Sequence, residues 1–368
     1  MVLTRRQRTA LSSAMHLPNE LLIEVIHNVE EADFPSLCSV SKLLHSLTLP
    51  FLNRAVVLVL YRARFVAFCS GLVSSPTRGS AIRSLTIRET LFDKTISKRD
   101  LDLLVEAMKL MSCLEKLHIS GAALCPTLSL LTFPRLVICD LHILSSCAEV
   151  VQFLTRHTTI THLTARLGSA SYHIPAITLP NLVHLEAPSH VLKCIVSPKL
   201  PAMRLIWLDT GTSYDSIDQT VSAFKALTSS DAPFVSYQDL VDSWFFGFVL
   251  QSLSQHMQHT TSLCIRVRRI DDVHNACRTL PRFSRLQYLA LECHYDMSVV
   301  HTNFQLQKLE AWKFVRSKVD AGVIGSLRAC RIGNNHTAWK KEDGLWMEYP
   351  EEEFQIQAGF AAFTRDSL

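Results

Sequence analysis

Residues 114–143 read LEKLHISGAALCPTLSLLTFPRLVICDLHI, and the spacing within them decides the fold class. Two pieces, LEKLHIS (114–120) and PRLVICDLHI (134–143), alternate apolar with polar residues, the period-two pattern of a half-buried strand. The same texture recurs as IRSLTIRE (82–89), ITHLTARL (160–167), PNLVHLEA (180–187), PAMRLIWLD (201–209), TSLCIRVRR (261–269), SRLQYLALE (284–292), LQKLEAWKF (306–314) and LRACRIG (327–333). Between the strands lie helical patterns, DLDLLVEAMKLM (100–111), CAEVVQFLTRH (147–157) and DQTVSAFKAL (218–227), with apolar residues three and four apart.

Aligned on their second apolar anchor, the strands fall at Leu117, Cys139, Leu163, Leu185 and Ile206, with steps of 22, 24, 22 and 21. The later anchors Leu263, Leu289, Leu309 and Cys330 step by 26, 20 and 21. Most steps match the ~20–29-residue period of leucine-rich repeats, without their asparagine ladder. The interval from Ile206 to Leu263 is 57, about two repeats with an insertion, and YQDLVDSWFFGFVLQSLSQHMQ (237–258) reads there as one long buried helix. A strand-helix unit buries one face only, so stacked units share a core. The expected class is therefore α/β of the repeat type, a strand-helix solenoid. TAWKKEDGLWMEY predicts a hairpin turning at Asp343-Gly344 that caps the open edge.

With Leu, Ile and Val pointing inward, the alternate strand positions face out: Arg88, His118, Asp140, His142, Arg166, Glu186, Trp207, Asp209, Arg266, Arg268, Glu292, Glu310 and Trp312. Of these, Arg88, His118, His142, Arg166, Trp207, Asp209, Arg266, Arg268 and Trp312 are the candidate target-binding residues. Aromatics and arginines suit protein recognition, and arginines also receive carboxylates.

The N-terminal part has a different texture. HLPNELLIEVIHNVEEADFPSLCSVSKLLHSLTLPFLNRAV (16–56) starts a helix at Pro18 with Leu21, Leu22, Val25, Ile26 and Val29 on one face. Asp33 and Pro35 open a second helix carrying Leu37, Val40, Leu43, Leu44 and Leu47. Pro50 interrupts it, and a strand follows at Val56–Val59. About 40 residues of this kind cannot bury their apolar surface internally and need another surface to sit on.

Leu17-Pro18, Glu20-Leu21-Leu22, Ile26, Asp33, Leu37, Val40-Ser41-Lys42, Leu44, Leu47, Pro50, Leu52 and Arg54-Ala55-Val56 together resemble an F-box. The degenerate repeats and the Trp-flanked ending are similar to fungal, basidiomycete-type F-box proteins. The resemblance implies a helical module that docks on a Skp-family adaptor and, through it, a cullin scaffold of an SCF-type ubiquitin ligase. It implies adaptor-binding roles for Leu17, Pro18, Leu21, Leu22, Ile26, Leu37, Val40, Leu44, Pro50 and Leu52. The expected function is a non-catalytic substrate-recognition subunit, with a repeat-based interaction or structural module that recruits no ligase as the alternative. The expected organisation is a basic arm at 1–13, an F-box at 14–56, a degenerate repeat array with its hairpin at 57–350, and a tail at 351–368.

Composition narrows the field. Hydrophobic residues make up 48% and charged residues 19%, a balance of folded rather than disordered chains. A net charge of +4 is too small to draw the chain to nucleic acid or an anionic membrane, so neither is an expected partner. The basic start MVLTRRQRTA lacks an apolar signal core, and no apolar run approaches ~20 residues, so a cytoplasmic or nuclear location is expected. Eleven cysteines stand singly, without CxxC pairs, and read mostly as small buried hydrophobes.

Catalytic patterns are missing from the sequence. There is no HExxH, GxSxG, Walker loop or GxGxxG, and no cofactor is expected. His256-x-x-His259 and His274-x-x-Cys277 have ligand-like spacing, but a chain with 16 histidines produces such pairs by chance, and no metal is expected. The acidic run Glu351–Glu353 reads as a solvated turn.

Overall fold

The structure is a computed structural model that describes residues 17–60, 63–89, 96–143, 148–167, 175–200, 202–207, 214–227, 234–239, 243–267, 278–293, 313, 316–317, 320–321, 324–332 and 337–358. The chain divides into two compact units. The first comprises 1–119 with 130–136, and the second 120–129 with 137–368. Both mix helices with strands in a mostly parallel arrangement, the α/β class that the strand-helix alternation predicts.

The first unit opens with helices α1 (Asn19–His27), α2 (Phe34–Val40) and α3 (Lys42–Leu52). The expected second helix is in fact two. Ser41 adopts extended backbone, ends α2, and caps α3 by accepting from the Leu44 N–H at 3.1 Å. Pro50 does not interrupt the helix but lies inside the last turn of α3, where only one helical hydrogen bond is lost near an end. Next come β1 (Ala55–Val59), α4 (Ala63–Ser74), β2 (Ser84–Arg88), α5 (Lys98–Lys109) and β3 (Lys116–Ser120), in strand order β1-β2-β3. Leu85, Ile87, Leu117 and Ile119 of the strands are buried, as are Leu104 and Met108 of α5.

The second unit contains β4 (Ile138–Ile143), α6 (Ala148–Arg156), β5 (His162–Leu167), β6 (Ile177–Thr178), β7 (His184–Pro188), β8 (Ile195–Val196), β9 (Ala202–Trp207) and α7 (Tyr214–Leu227). It continues with β10 (Phe234–Asp239), α8 (Ser243–His256), β11 (Ser262–Val267), β12 (Tyr288–Cys293), β13 (Ala329–Ile332), β14 (Thr337–Glu342), β15 (Leu345–Pro350) and α9 (Glu351–Gln357). The main strand order is β4-β5-β7-β9-β10-β11-β12-β13-β14-β15, parallel through β13 and antiparallel at the final hairpin. The short strands β6 and β8, from the β5–β7 and β7–β9 crossovers, pair in parallel as a separate two-stranded sheet.

Register and strand bounds correct two sequence expectations. Leu185 pairs with Met203, so Met203 rather than Ile206 is the anchor of β9, and Ile206 pairs with Pro188. The expected long helix at 237–258 is split: β10 takes residues through Asp239, α8 begins at Ser243, and β10 is the strand hidden in the 57-residue interval. Its Val235 pairs with Leu263. β12 pairs directly with β13, Leu289 opposite Cys330; Leu309, expected as an anchor between them, is outside the described residues.

A turn recurs ahead of the strands in both units. An N–H donates to the carbonyl three residues earlier at Ile82→Gly79, Leu114→Met111, Leu136→Phe133, Ile160→His157, Leu182→Leu179, Thr260→Met257, Leu286→Phe283 and Leu327→Ile324. Both residues of every pair are buried, and the strand anchor follows three positions later, as in Met111, Leu114 and Leu117. Beside each turn, one carbonyl receives two successive N–H groups from the neighbouring strand. Arg83 O takes those of Glu115 and Lys116, Thr161 O those of Val183 and His184, and Gln287 O those of Arg328 and Ala329. These bonds occupy backbone groups that a buried turn would otherwise leave unpaired.

The hairpin forms as expected. Asp343 (φ 48°) and Gly344 (φ 83°) make the two-residue turn, both in the left-handed region, and Glu342 pairs with Leu345. Cys69, Cys139, Cys264 and Cys330 are buried free thiols, in line with the reading of most cysteines as buried hydrophobes, whereas Cys125 is disulfide-bonded. Among the described residues, no helix is long and apolar enough to cross a membrane.

Candidate functional sites: an apolar helical face and a polar sheet face

In α1 the apolar residues split into two stripes. Leu22 and Ile26, four apart, are buried, and Phe34 of α2 is buried as well. The Phe51 ring lies edge-on to His27 at 4.6 Å and 6.1 Å from Phe34, joining α3 to the other two helices. The adjacent stripe, Leu17, Leu21 and Val25, is exposed, as are Val40, Leu43 and Leu52, all six between 37% and 55%.

Leu22 and Ile26 are thus corrections to the expected docking set: they hold the helices together and do not face out. Leu17, Pro18, Leu21, Val40, Pro50 and Leu52 are exposed, and Leu37 and Leu44 are half-buried. Val25 and Leu43 belong on the exposed face although the expected set omits them. Their signal was present in the helical spacing, but spacing alone does not say which edge of a broad apolar stripe turns inward.

The second surface is the side of the sheet opposite the buried row. In β4, Cys139, Leu141 and Ile143 are buried while Asp140 and His142 are half-buried. Register sets His142 opposite Arg166, and Asp140 opposite Thr164, itself opposite Glu186. His142 Nε2 lies 2.9 Å from Asp140 Oδ1. Arg166 donates through Nη2 (2.9 Å) and Nε (3.3 Å) to Glu186 Oε1, and Glu186 is only 4% exposed. Such a carboxylate needs its guanidinium, because removing one partner of a buried pair leaves an uncompensated charge. The rings of His162 and His184, opposite one another on β5 and β7, stack at 5.6 Å, a pair the outward set did not include.

The other candidates scatter. Arg88 is exposed and His118 half-buried, both in the first unit. Trp207 pairs in register with Asp239 of β10, two residues beyond Leu205 on β9. Arg266 and Glu292 are paired across β11 and β12, on the outward register. Asp209, Arg268, Glu310 and Trp312 lie outside the described residues.

The histidine pair with ligand-like spacing is drawn apart. His256 Nε2 contacts Asp218 Oδ1 at 2.8 Å, and Ser252 Oγ, fully buried, donates to the same oxygen at 2.8 Å. The Ser252 hydrogen bond, followed by that of His256, holds the Asp218 carboxyl below its usual range. His259 instead meets Ser284 Oγ at 3.3 Å. This arrangement ties α7 to α8 through one shared carboxylate oxygen. His274 and Cys277 are outside the described residues, and among those described no group of three or more His, Cys, Asp or Glu is placed to hold a metal.

No protein-family model matches the chain, and no curated protein matches it. Among solved structures, a Bacteroides fragilis protein determined as a structural-genomics target superposes with a TM-score of 0.33 and 14% identity, over 66% of this chain; this chain spans 66% of that protein's length.

Proposed function

We propose that this chain is a substrate-recognition subunit of an SCF-type ubiquitin ligase, with residues 17–52 docking on a Skp-family adaptor and the strand-bearing region receiving a target protein. One observation carries the reading. A three-helix segment keeps Leu22, Ile26 and Phe34 inside while exposing Leu17, Leu21, Val25, Val40, Leu43 and Leu52. Six large apolar side chains exposed within about 36 residues form the kind of surface that a partner covers.

The recurring turn, with buried residues at every third position leading into parallel strands, supports reading the rest as a leucine-rich-repeat-like solenoid. In that reading the outward residues His142, Arg166 and their neighbours face the target, and the chain performs no bond chemistry. It holds target lysines at high effective concentration near a recruited ubiquitin-conjugating enzyme. A cytoplasmic or nuclear location follows from that role.

The test is capture of a Skp-family adaptor by the intact chain. Leu21→Asp, on the exposed stripe, abolishes capture with the unfolding transition unchanged. Leu22→Asp, in the helical core, unfolds the module. Failure of the unaltered chain to hold any Skp-family adaptor sinks the reading.

A further inference from the structure

At the C-terminal end of the second unit, the outward sheet face changes character. Where β4 and β5 present Asp140, His142 and Arg166, the same face of β11 to β14 carries four small buried residues, Cys264, Ala290, Ala329 and Ala338, with Tyr288 opposite Ala329 and Arg331 opposite Ala290. The segment expected to be a tail fills the space. Helix α9 lies on this bed through Phe354, which is fully buried, and Ala358 just beyond its end is buried beside it. The Phe354 ring meets Tyr288 edge-on at 6.5 Å. Glu351, the first residue of α9, accepts from the Arg331 guanidinium, whose side chain is only 7% exposed.

The inward stripe is therefore Glu351, Phe354 and Ala358, at i, i+3 and i+7, while Glu352, Glu353, Ile356 and Gln357 face solvent. Seven residues are too few for a helix to persist without tertiary support, and Pro350 supplies no side-chain cap. What holds α9 is thus the aromatic seat, the small-residue bed and the ion pair. Arg331 also sets a condition on any replacement, because a buried guanidinium left without its carboxylate is strongly unfavourable.

We propose that α9 is a displaceable internal occupant of a peptide groove on β11–β14. The segment of a target that replaces it is a short amphipathic helix bearing a carboxylate, then an aromatic three residues later and a small residue four beyond that. The inference rests on the proposal above that the outward face receives the target, and gives that target its chemistry.

Hydrogen exchange on the unaltered full chain is the first readout. Amides at 355–357 exchange at least about tenfold faster than those of Leu289 and Leu291 in β12, since a short cover opens locally while the core strands open only globally. Equal protection makes α9 an integral part of the fold and overturns the proposal. The second readout is binding of a fluorescein-labelled peptide of residues 350–360 to the chain ended after Pro350 and to full-length Phe354→Ala, which serves alone if the shortened chain unfolds.

Both bind the peptide, and the unaltered chain binds it at least about tenfold more weakly because its groove is filled. Peptides carrying Glu351→Gln or Phe354→Ala lose binding. No peptide binding by a folded Phe354→Ala chain overturns the proposal. Skp-adaptor capture by the same proteins reads the parent proposal separately: peptide binding without adaptor capture removes the ligase role and leaves the groove.

Discussion

Two glycines in the first unit respond to alanine in opposite directions. A Cβ built on Gly79, the first residue of a recurring turn, lies 2.7 Å from Leu110 O, 2.8 Å from Leu110 Cβ and 3.0 Å from Leu110 C. Two of those atoms are backbone, so relief requires the chain before Met111 to move. Overpacking of this kind costs about 1–3 kcal/mol, against a gain of about 0.4–1 kcal/mol from a less flexible unfolded chain, so the clash wins. At Gly71, inside α4, an added Cβ meets nothing within 4 Å, and removing a helix-interior glycine gains about 0.5–1 kcal/mol. In urea unfolding, Gly79→Ala lowers stability by about 1–2 kcal/mol and Gly71→Ala raises it by about 0.5–1 kcal/mol. The close stacking of successive turns is refuted if Gly79→Ala is as stable as the unaltered chain. A fall at both sites would refute the assignment of Gly71 to open helix surface.

Other outcomes test separate parts. His157 is buried with Nδ1 donating to Phe153 O at 2.6 Å, and burial lowers its pKa below the usual value of 6.5. The unfolded chain therefore takes up its proton first: the stability this neutral histidine contributes is present above pH 6.5 and is lost as pH falls, by at most about 1.4 kcal/mol per unit. His157→Gln shrinks the difference between variant and parent from pH 7 to pH 5, and a constant difference would exclude the assignment. At the hairpin, Gly344→Val forces a β-branched residue to φ 83° and lowers the urea-unfolding free energy of the second unit by about 1–2 kcal/mol, whereas Asp343→Gly does not. Ser252→Ala and His256→Ala, sharing Asp218, give a double-mutant cycle that departs from additivity by at least about 0.5 kcal/mol; strict additivity contradicts the shared acceptor.

Much of the fold was legible where one physical signal dominated. The alternation in ICDLHI placed β4 with its buried and outward rows, and the left-handed demand of a two-residue hairpin marked Asp343-Gly344. Errors arose where two signals overlapped. FVSYQD forms β10 without an aliphatic run, and the apolar sequence of α8 starts only four residues after its end, so the two merged into one pattern. In AMRLIW the apolar residues occupy both registers, and only pairing with Leu185 selects Met203 over Ile206. Pro50 looked like a helix end, but packing around Phe51 keeps α3 helical through Leu52. For the candidate docking face, the sequence identified apolar helices but not the division that puts Leu22 inside and Leu21 outside. That division depends on where α3 crosses α1, a tertiary fact.

The central claim is that the exposed stripe of the first three helices is the docking surface. Hydrogen-exchange footprinting of the intact chain with a purified Skp-family adaptor addresses it directly. The account predicts slowed exchange confined to residues 17–27 and 40–53, removed by Leu21→Asp, with β4–β7 unchanged. Binding that protects β4–β7 while leaving 17–27 as open as in the free chain would contradict it.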